Sequence, residues 1–406
     1  MNSVSLPKIS LLHRRLTHLL ICVALALLLP GCESEPKAKG PKPPATVGRS
    51  VLVYMVVNNL PGFSLNGRDD DDLNEMQQAA REGSFGGNRL IVYWHPYRQN
   101  PCLVEVTADE RVILKQYDTH ESSVSAARML DVIDDFHSVA PAEHYGLVLW
   151  SHGSGWVQNG INDDMPSQSS KKRSFGDDNG HSMNITTLAS VLGRHDFDYV
   201  YFDCCHMAGV EVAYEMRNVT DFIAGSVTEL PGEGMPYHLT LPFLMADDAD
   251  VNAAAATTFS YFFDKTGSEQ TCTMSVIDTS RLDDLADAVK QLYSALPSAS
   301  YGSYRPQQFV YGSSCLYFDL ADYLEALVAA HPECIHLLGN ALQAIDDAVT
   351  YRNATPYIWK GYYNQVEIKH HCGLSTLIRE ENPGAFINKN YTDLQWWSDV
   401  ASHLYD

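Results

Sequence analysis

Two short segments of the sequence place a thiol and an imidazole directly after apolar runs. In "YVYFDCCHM" (residues 199–207), Asp203, Cys204 and Cys205 follow aromatic and β-branched residues, and in "YGLVLWSHGSGW" (residues 145–156), His152 follows a similar run. A cysteine thiol, with a pKa of about 8.5, is mostly protonated at neutral pH, and a nearby imidazole can take that proton and later donate it to a leaving amine. The two segments therefore predict a cysteine nucleophile with a histidine base.

The glycines that follow His152 bear on the same chemistry. Gly153 and Gly155 allow this part of the chain to approach a substrate closely. The backbone N–H groups of Gly153 and Cys205 are then candidates for an oxyanion hole, which contributes on the order of 3 kcal/mol per donor in known enzymes.

The two segments can meet only if the strands that carry them are neighbours. The runs at residues 50–60 and 88–95 are almost continuously apolar, as in strands buried on both faces, and "DDDDLNEMQQAAREG" between them is typical of a crossover helix. Ligands bind beyond the carboxyl ends of the strands in open parallel sheets. We therefore predict an α/β fold with a mostly parallel central sheet flanked by helices, and the reactive groups at one edge of it.

The second half of the chain is dominated by helical patterns. Helices are predicted at "VNAAAATTFSYFFDKTG", "RLDDLADAVKQLYSALP" and "IHLLGNALQAIDDAVTYR", with short strands at "TMSVID" and "GLSTLI". We divide the chain into a catalytic core at residues 50–250 and a mostly helical C-terminal part of the same domain at residues 251–406.

The N-terminus is typical of an exported protein. Basic residues precede a short apolar run that ends in "LLLPGC", too short to cross a membrane, so residues 1–31 are predicted to be a lipoprotein signal peptide. Its end resembles a lipobox, which implies that Cys32 is lipidated, with residues 32–49 as a flexible linker rich in Pro, Gly and Lys. The expected location is the outer membrane or the cell surface, and the alternative is an ordinary secretory signal.

Charge and cysteine content further limit the functions that the chain can have. The formal net charge of -22 would repel nucleic acid phosphates, so no nucleic acid partner is expected. Of the nine cysteines, seven lie beyond Cys32, and an odd number in an oxidising compartment implies at least one free thiol. The negative charge could attract cationic peptides, which agrees with a peptide or protein substrate. We expect a monomer.

These motifs resemble those of the clostripain family of cysteine peptidases. The resemblance includes "LWSHGSGW", "YFDCCHMAGVEVAYEM", "VYMVVNNL", "DLNEM", "SVTELPGEGMPY", "CGLSTLI" and "YTDLQWWSDV", and extends over residues 51–400. It implies a caspase-like fold and a cysteine endopeptidase in which His152 is the general base and acid and Cys205 attacks the scissile carbonyl. Cys204 stands where the family often has a small residue; we interpret it as a packing residue, with a role as the working thiol, or in protecting Cys205, as the alternative.

The resemblance also indicates how a substrate would be selected. Relatives that cleave after Arg or Lys have acidic residues in the pocket for that side chain, and Asp203, Glu233 and Glu229 are the candidates here. Asp203 is equally compatible with a structural role at the strand end. The polar segment "NDDMPSQSSKKRSFGDDNG" (residues 162–180) is predicted to be an exposed loop, and several relatives cut themselves after a basic residue in this region. We therefore predict autoprocessing after Lys171, Lys172 or Arg173; the alternative is a solvated charged loop.

Other functions fit the pattern less well. Zinc binding and thiol–disulfide exchange both favour cysteines separated by two residues, whereas Cys204 and Cys205 are adjacent and are followed by His206. His206 is also a poor base for Cys205, because adjacent side chains of an extended chain point to opposite faces. Calcium is not expected, because Ser151 and Asn58 stand where family members often have acidic residues. A catalytically degenerate lipoprotein that binds peptide or glycan remains the alternative function.

Overall fold

The computed structural model describes residues 44–56, 67–157, 174–312, 315–381 and 390–405. The signal segment, Cys32, Asn58 and the basic residues 171–173 lie outside these ranges. Pro44–Asp406 forms one compact unit. Within the described ranges, the helices are all too short or too polar to cross a membrane.

Five parallel strands form the centre of a nine-stranded sheet. In spatial order they are β9 (Thr220–Gly225), β8 (Phe197–Asp203), β5 (Ala142–Trp150), β1 (Val47–Val56) and β2 (Arg89–His95). Each contains a nearly continuous run of buried residues. The mostly parallel central sheet predicted from these runs is confirmed.

Antiparallel strands complete the sheet on both sides. On one side, β2 pairs with β3 (Cys102–Val106), which pairs with β4 (Arg111–Gln116). On the other, β9 pairs with β10 (Thr273–Asp278), which pairs with β12 (Val349–Ala354). Both outer strands are largely exposed, as is usual for sheet edges.

Helices cover both faces of the sheet. Three helices, α1 (Arg68–Arg81), α5 (Tyr237–Leu244) and α6 (Val251–Phe263), pack on one face. The opposite face carries α2 (Ala126–Val139), α3 (Ile185–Leu192), α4 (Val210–Met216), α7 (Leu282–Ala295), α8 (Leu320–Ala330), α9 (Ile335–Ala348) and α10 (Gln395–Asp399). Side chains of β8 alternate between the faces: Val200 and Phe202 point to the second face, Tyr199 and Tyr201 to the first.

Short strand pairs lie outside the main sheet. They are β6 (Phe175–Asp178) with β7 (His181–Met183), β11 (Phe318–Asp319) with β15 (Ser375–Thr376), and β13 (Tyr357–Ile358) with β14 (Val366–Glu367). The first pair follows the loop that contains the predicted processing site.

The C-terminal part differs in detail from the prediction. The helix expected to continue to Arg352 ends at Ala348, and the following residues form β12 against β10. Val349, Thr350 and Tyr351 favour a strand, and the backbone hydrogen bonds of β10 are available to pair with them. The C-terminal part therefore contributes two strands to the central sheet as well as helices.

Candidate active site

The register of β5 and β8 brings the two predicted reactive segments together. Trp150 pairs with Asp203 in this parallel ladder, so His152 and Cys205 each lie two residues beyond the same rung. A Cβ added to Gly153 would come within 2.7 Å of the Cys205 carbonyl oxygen. The glycine therefore allows the chain after His152 to lie directly against the chain around Cys205, as the sequence predicted for neighbouring strand ends.

Cys205 is half-buried and in contact with the loop that follows β9. Its Sγ accepts a hydrogen bond from the Leu230 N–H at 3.3 Å and lies 3.8 Å from the Leu230 carbonyl oxygen. Burial, and then the charge of nearby Glu229, raise the pKa of the Cys205 thiol to about 12. In this arrangement the group is a protonated thiol, and attack on a carbonyl requires a base to remove its proton.

Cys204 lies in a different environment from its neighbour. Its Sγ donates to the Leu149 carbonyl oxygen at 2.9 Å, and only 2% of the residue is exposed. Burial raises the pKa of this thiol well above its usual value. All seven cysteines of the described residues are free of disulfide bonds, and Cys205 is the one among them that is not buried.

His206 is held away from the nucleophile by its own contacts. Its backbone is in the left-handed region (φ 60°), its ring stacks on Tyr317 with centroids 4.1 Å apart, and Nδ1 lies 3.1 Å from the Val227 carbonyl oxygen. The Tyr317 hydroxyl donates to the Ser154 carbonyl oxygen at 2.9 Å. The chain at His206 therefore turns rather than staying extended, and the residue links three segments around the site.

The backbone at Gly153 is arranged so that its N–H points away from the strand beside it. Gly153 forms an isolated antiparallel bridge with Phe175, flanked by hydrogen bonds from Gly176 N–H to the His152 oxygen and from Ser154 N–H to the Ser174 oxygen. A residue between such flanking bonds directs its own N–H and C=O outward. This N–H is therefore not used in the bridge.

Asp203 is a buried carboxylate at the end of β8. It accepts hydrogen bonds from the Met235 N–H at 3.0 Å and from the Tyr237 hydroxyl at 3.1 Å. Burial raises the pKa of Asp203 to about 6, although these hydrogen bonds oppose the rise. Asp203 thus makes structural hydrogen bonds while lying two residues from the candidate nucleophile.

The other two acidic candidates have partners of their own. Glu233 is paired with Lys265 and with the Tyr261 hydroxyl, and although burial opposes the change, these contacts lower its pKa. Glu229 is exposed and accepts a hydrogen bond from the Trp359 indole N–H at 2.7 Å. Asp203, in contrast to Glu233, has no positively charged partner within 4.0 Å in the part of the chain that the structure describes.

Several residues at the site were not found from the sequence. Leu230 and Trp359 have no chemical signature, and they come near Cys205 and Glu229 only through long-range packing. The sequence indicates only that Asp72 lies near the start of the predicted crossover helix, although helical spacing puts it on the same face as buried Leu73 and Met76. Across the described ranges, no group of three or more His, Cys, Asp or Glu is arranged to hold a metal ion.

Comparison with known proteins places this chain in a family. The clostripain family model matches residues 53–402. An inactive zymogen C11 protease from Parabacteroides distasonis is 27% identical, covers 88% of this chain and 99% of its own, and superposes with a TM-score of 0.74. A secreted C11 cysteine protease from Bacteroides thetaiotaomicron, solved with an irreversible peptide inhibitor, is 28% identical, with coverages of 86% and 98% and a TM-score of 0.72.

A second structure of a secreted C11 cysteine protease from Bacteroides thetaiotaomicron supports the fold. It is 21% identical, covers 88% of this chain and 100% of its own, and has a TM-score of 0.75. No curated protein matches the chain. The family match spans most of the sequence and the fold agrees with it, so the chain belongs to the clostripain family and is a cysteine peptidase with a caspase-like fold.

Proposed function

We propose that the protein is an exported cysteine endopeptidase that uses Cys205 and His152 to cleave peptide bonds after Arg or Lys. The observation that carries the proposal is the register of β5 and β8, which puts both residues two positions beyond one rung of the sheet. The exposure of Cys205, in contrast to the burial of Cys204, supports the same assignment. The chemistry needs no cofactor.

The catalytic cycle would follow from these positions. His152 takes the proton from the Cys205 thiol, and Sγ attacks the carbonyl carbon of the scissile bond. The N–H groups of Gly153 and Cys205 stabilise the resulting oxyanion, and His152 donates its proton to the leaving amine. Water, activated by the same imidazole, then hydrolyses the thioester and restores the thiol.

Asp203 would recognise the basic side chain before the scissile bond. It is buried, and a cationic side chain that reached it would form charge-assisted hydrogen bonds in a site that excludes water. Glu233 and Glu229 would add negative charge nearby, although Lys265 and Trp359 already contact them in this structure. Asp203 would thus contact the basic side chain directly, whereas Glu233 and Glu229 would act only through their negative charge.

Asp203→Asn is expected to lower kcat/KM for an Arg reporter peptide by about 100-fold relative to an uncharged Gln peptide of the same sequence. The amide is almost the same size as the carboxylate but lacks its charge. Reporter peptides with Arg, Lys and Gln before the cleaved bond measure the effect. Lys265→Met is the control, because it removes the positive charge that pairs with Glu233 and leaves Asp203 unchanged.

Two observations would count against this assignment. One is an unchanged ratio of Arg to Gln cleavage in Asp203→Asn. The other is a ratio of Arg to Gln cleavage by the wild-type protein that stays constant between pH 5 and pH 7, a window of about one unit on each side of the Asp203 pKa. The Asp203 carboxylate gains a proton as the pH falls through about 6, so the preference for Arg should fall with it.

We also propose that the protein cuts itself after Lys171, Lys172 or Arg173. These residues lie outside the described ranges, but Val157 and Ser174, on either side of that gap, are described. Ser174 Oγ donates to the Val157 oxygen at 3.2 Å, and the Ser174 oxygen accepts a hydrogen bond from the N–H of Ser154, two residues after His152. The Parabacteroides distasonis relative is described as an inactive zymogen, which supports a processing step here.

The change of all three basic residues to Gln is expected to prevent the conversion of one chain into two. The loop then offers no cationic side chain for the pocket. Purified protein is followed on a denaturing gel, and the new N-terminus is sequenced. Exchange of Lys290, a residue of α7, for Gln serves as the control. Cleavage that continues at the same rate in the triple variant would exclude these residues as the processing site.

Export and anchoring complete the proposal. The signal-like N-terminus and Cys32 support a lipoprotein of the outer membrane or cell surface, and a relative 28% identical to this chain is described as secreted. Extraction of the mature protein from membranes by detergent, but not by high salt, would agree with a lipid anchor; recovery in the soluble fraction would agree with an ordinary secretory signal.

A further inference from the structure

Two carboxylates converge beside the end of β8, on the face of the sheet covered by α1. A Cβ built on Gly234 would lie 3.0 Å from Asp203 Oδ2, 3.3 Å from Trp150 Nε1 and 3.5 Å from Asp72 Oδ2. Gly234 has a φ of 73°, a conformation that favours glycine. Gly234 therefore lets the backbone approach both carboxylates closely, and their Oδ2 atoms lie near the same point beside it.

Asp72 is the unusual member of this pair. Only 2% of the residue is exposed, and Oδ2 has no hydrogen-bond partner among the described residues. No Lys, Arg or His within the described ranges lies within 4.0 Å of either Asp72 or Asp203, whereas the neighbouring acids Glu75 and Glu233 are near His238 and Lys265. The Trp150 side chain forms a hydrogen bond with the Asp72 carboxyl group, but Oδ2 remains without one. A buried carboxylate oxygen without a partner is unfavourable, and a cationic group that reached it would supply the missing donor.

We propose that Asp72 is a second carboxylate of the pocket that receives the basic side chain preceding the scissile bond, opposite Asp203. This rests on the proposed function, because it assigns a further specificity-determining residue to that site. A guanidinium group has five N–H donors in a planar fork and can bond two carboxylates at once, whereas an ammonium group is a compact charge with three donors. The pair therefore favours Arg over Lys.

The raised pKa of Asp72 agrees with a site that binds a cation. Burial, and then the charge of Asp203, raise the pKa of Asp72 to about 10, so this carboxyl group carries a proton at neutral pH. An entering guanidinium favours the ionised form, and the proton leaves to solvent as the cation binds. Binding therefore leaves the net charge of the two carboxyl groups and their ligand unchanged, because the positive charge that enters replaces the proton that leaves.

Asp72→Asn tests the proposal directly. The Asn side chain has the shape of a protonated Asp, so the fold should tolerate it, and thermal unfolding checks this. We expect the ratio of Arg to Gln cleavage, as kcat/KM, to fall by about tenfold or more, and the ratio of Arg to Lys cleavage to fall as well. Asp71→Asn is the matched control: it removes the adjacent charge of the same helix turn, but its side chain is exposed and lies 3.7 Å from Arg68.

A second measurement does not depend on turnover. Benzamidine, an amidinium probe, is expected to slow alkylation of Cys205 by iodoacetamide in the wild-type protein and in Asp71→Asn, and about tenfold higher concentrations should be needed in Asp72→Asn.

The outcomes separate this inference from the proposed function. If the wild-type protein does not prefer Arg to Gln, the proposed function itself is wrong about the substrate. If the preference is present and Asp72→Asn keeps both the Arg to Gln ratio and the benzamidine protection of wild type, Asp72 is a structural residue and only this inference is overturned.

Discussion

Cys205→Ala is expected to reduce kcat/KM for an Arg reporter peptide by at least about 1,000-fold, while Cys204→Ala keeps activity within a fewfold of wild type. The two thiols are adjacent in sequence but differ in exposure and contacts. Cys205 Sγ is half-buried at the edge of the sheet, whereas Cys204 Sγ is buried and donates to the Leu149 carbonyl oxygen. A thiol enclosed by the apolar layer cannot reach a peptide carbonyl.

Stability should change in the opposite order to activity. Cys204→Ala removes a buried sulfur from the core and should lower the free energy of unfolding by about 1 kcal/mol, whereas Cys205→Ala should have little effect. Reporter-peptide kinetics and thermal unfolding of both variants provide the measurements. The reverse result, with activity retained in Cys205→Ala and lost in Cys204→Ala, would show that Cys204 is the nucleophile.

The parallel centre of the fold could be predicted because its signals are local. Each of the five central strands is a nearly continuous apolar run, and the strand-end rule then placed His152 and Cys205 together without further information. The boundary at Ala348 could not be predicted in the same way. A helical pattern continues across it, and β12 forms only because β10 offers a partner about 75 residues earlier in the chain.

The acidic residues of the proposed pocket could be predicted only in part, for a related reason. Asp203 could be identified because it lies two residues before the nucleophile, but its neighbours Asp72 and Gly234 come from other elements of the fold. Lys265, which pairs with Glu233, is likewise distant in sequence, because α5 and α6 lie between the two residues. The family resemblance thus identified Asp203 and Glu233, whereas only the fold shows that Glu233 pairs with Lys265 and that Asp203 has no cationic partner within 4.0 Å among the described residues.

His152→Ala is expected to lower kcat/KM for the same Arg peptide by at least about 1,000-fold. The pKa of Cys205 is raised to about 12 in this structure, so at neutral pH almost no thiolate forms without a base. The loss should be partly recovered as the pH is raised, since hydroxide then takes over the deprotonation of the thiol. Kinetics at neutral pH and at successively higher pH measure both effects.

His206→Asn provides the control, because it removes the rival imidazole while preserving the backbone. Asn tolerates the left-handed conformation of this residue better than most side chains, so the turn should survive. The stacking on Tyr317 is lost, and we expect the free energy of unfolding to fall by about 1 kcal/mol with activity within tenfold of wild type. If His206→Asn instead lost as much activity as His152→Ala, with an unchanged melting temperature, His206 would be the base and the strand-end assignment of His152 would be wrong.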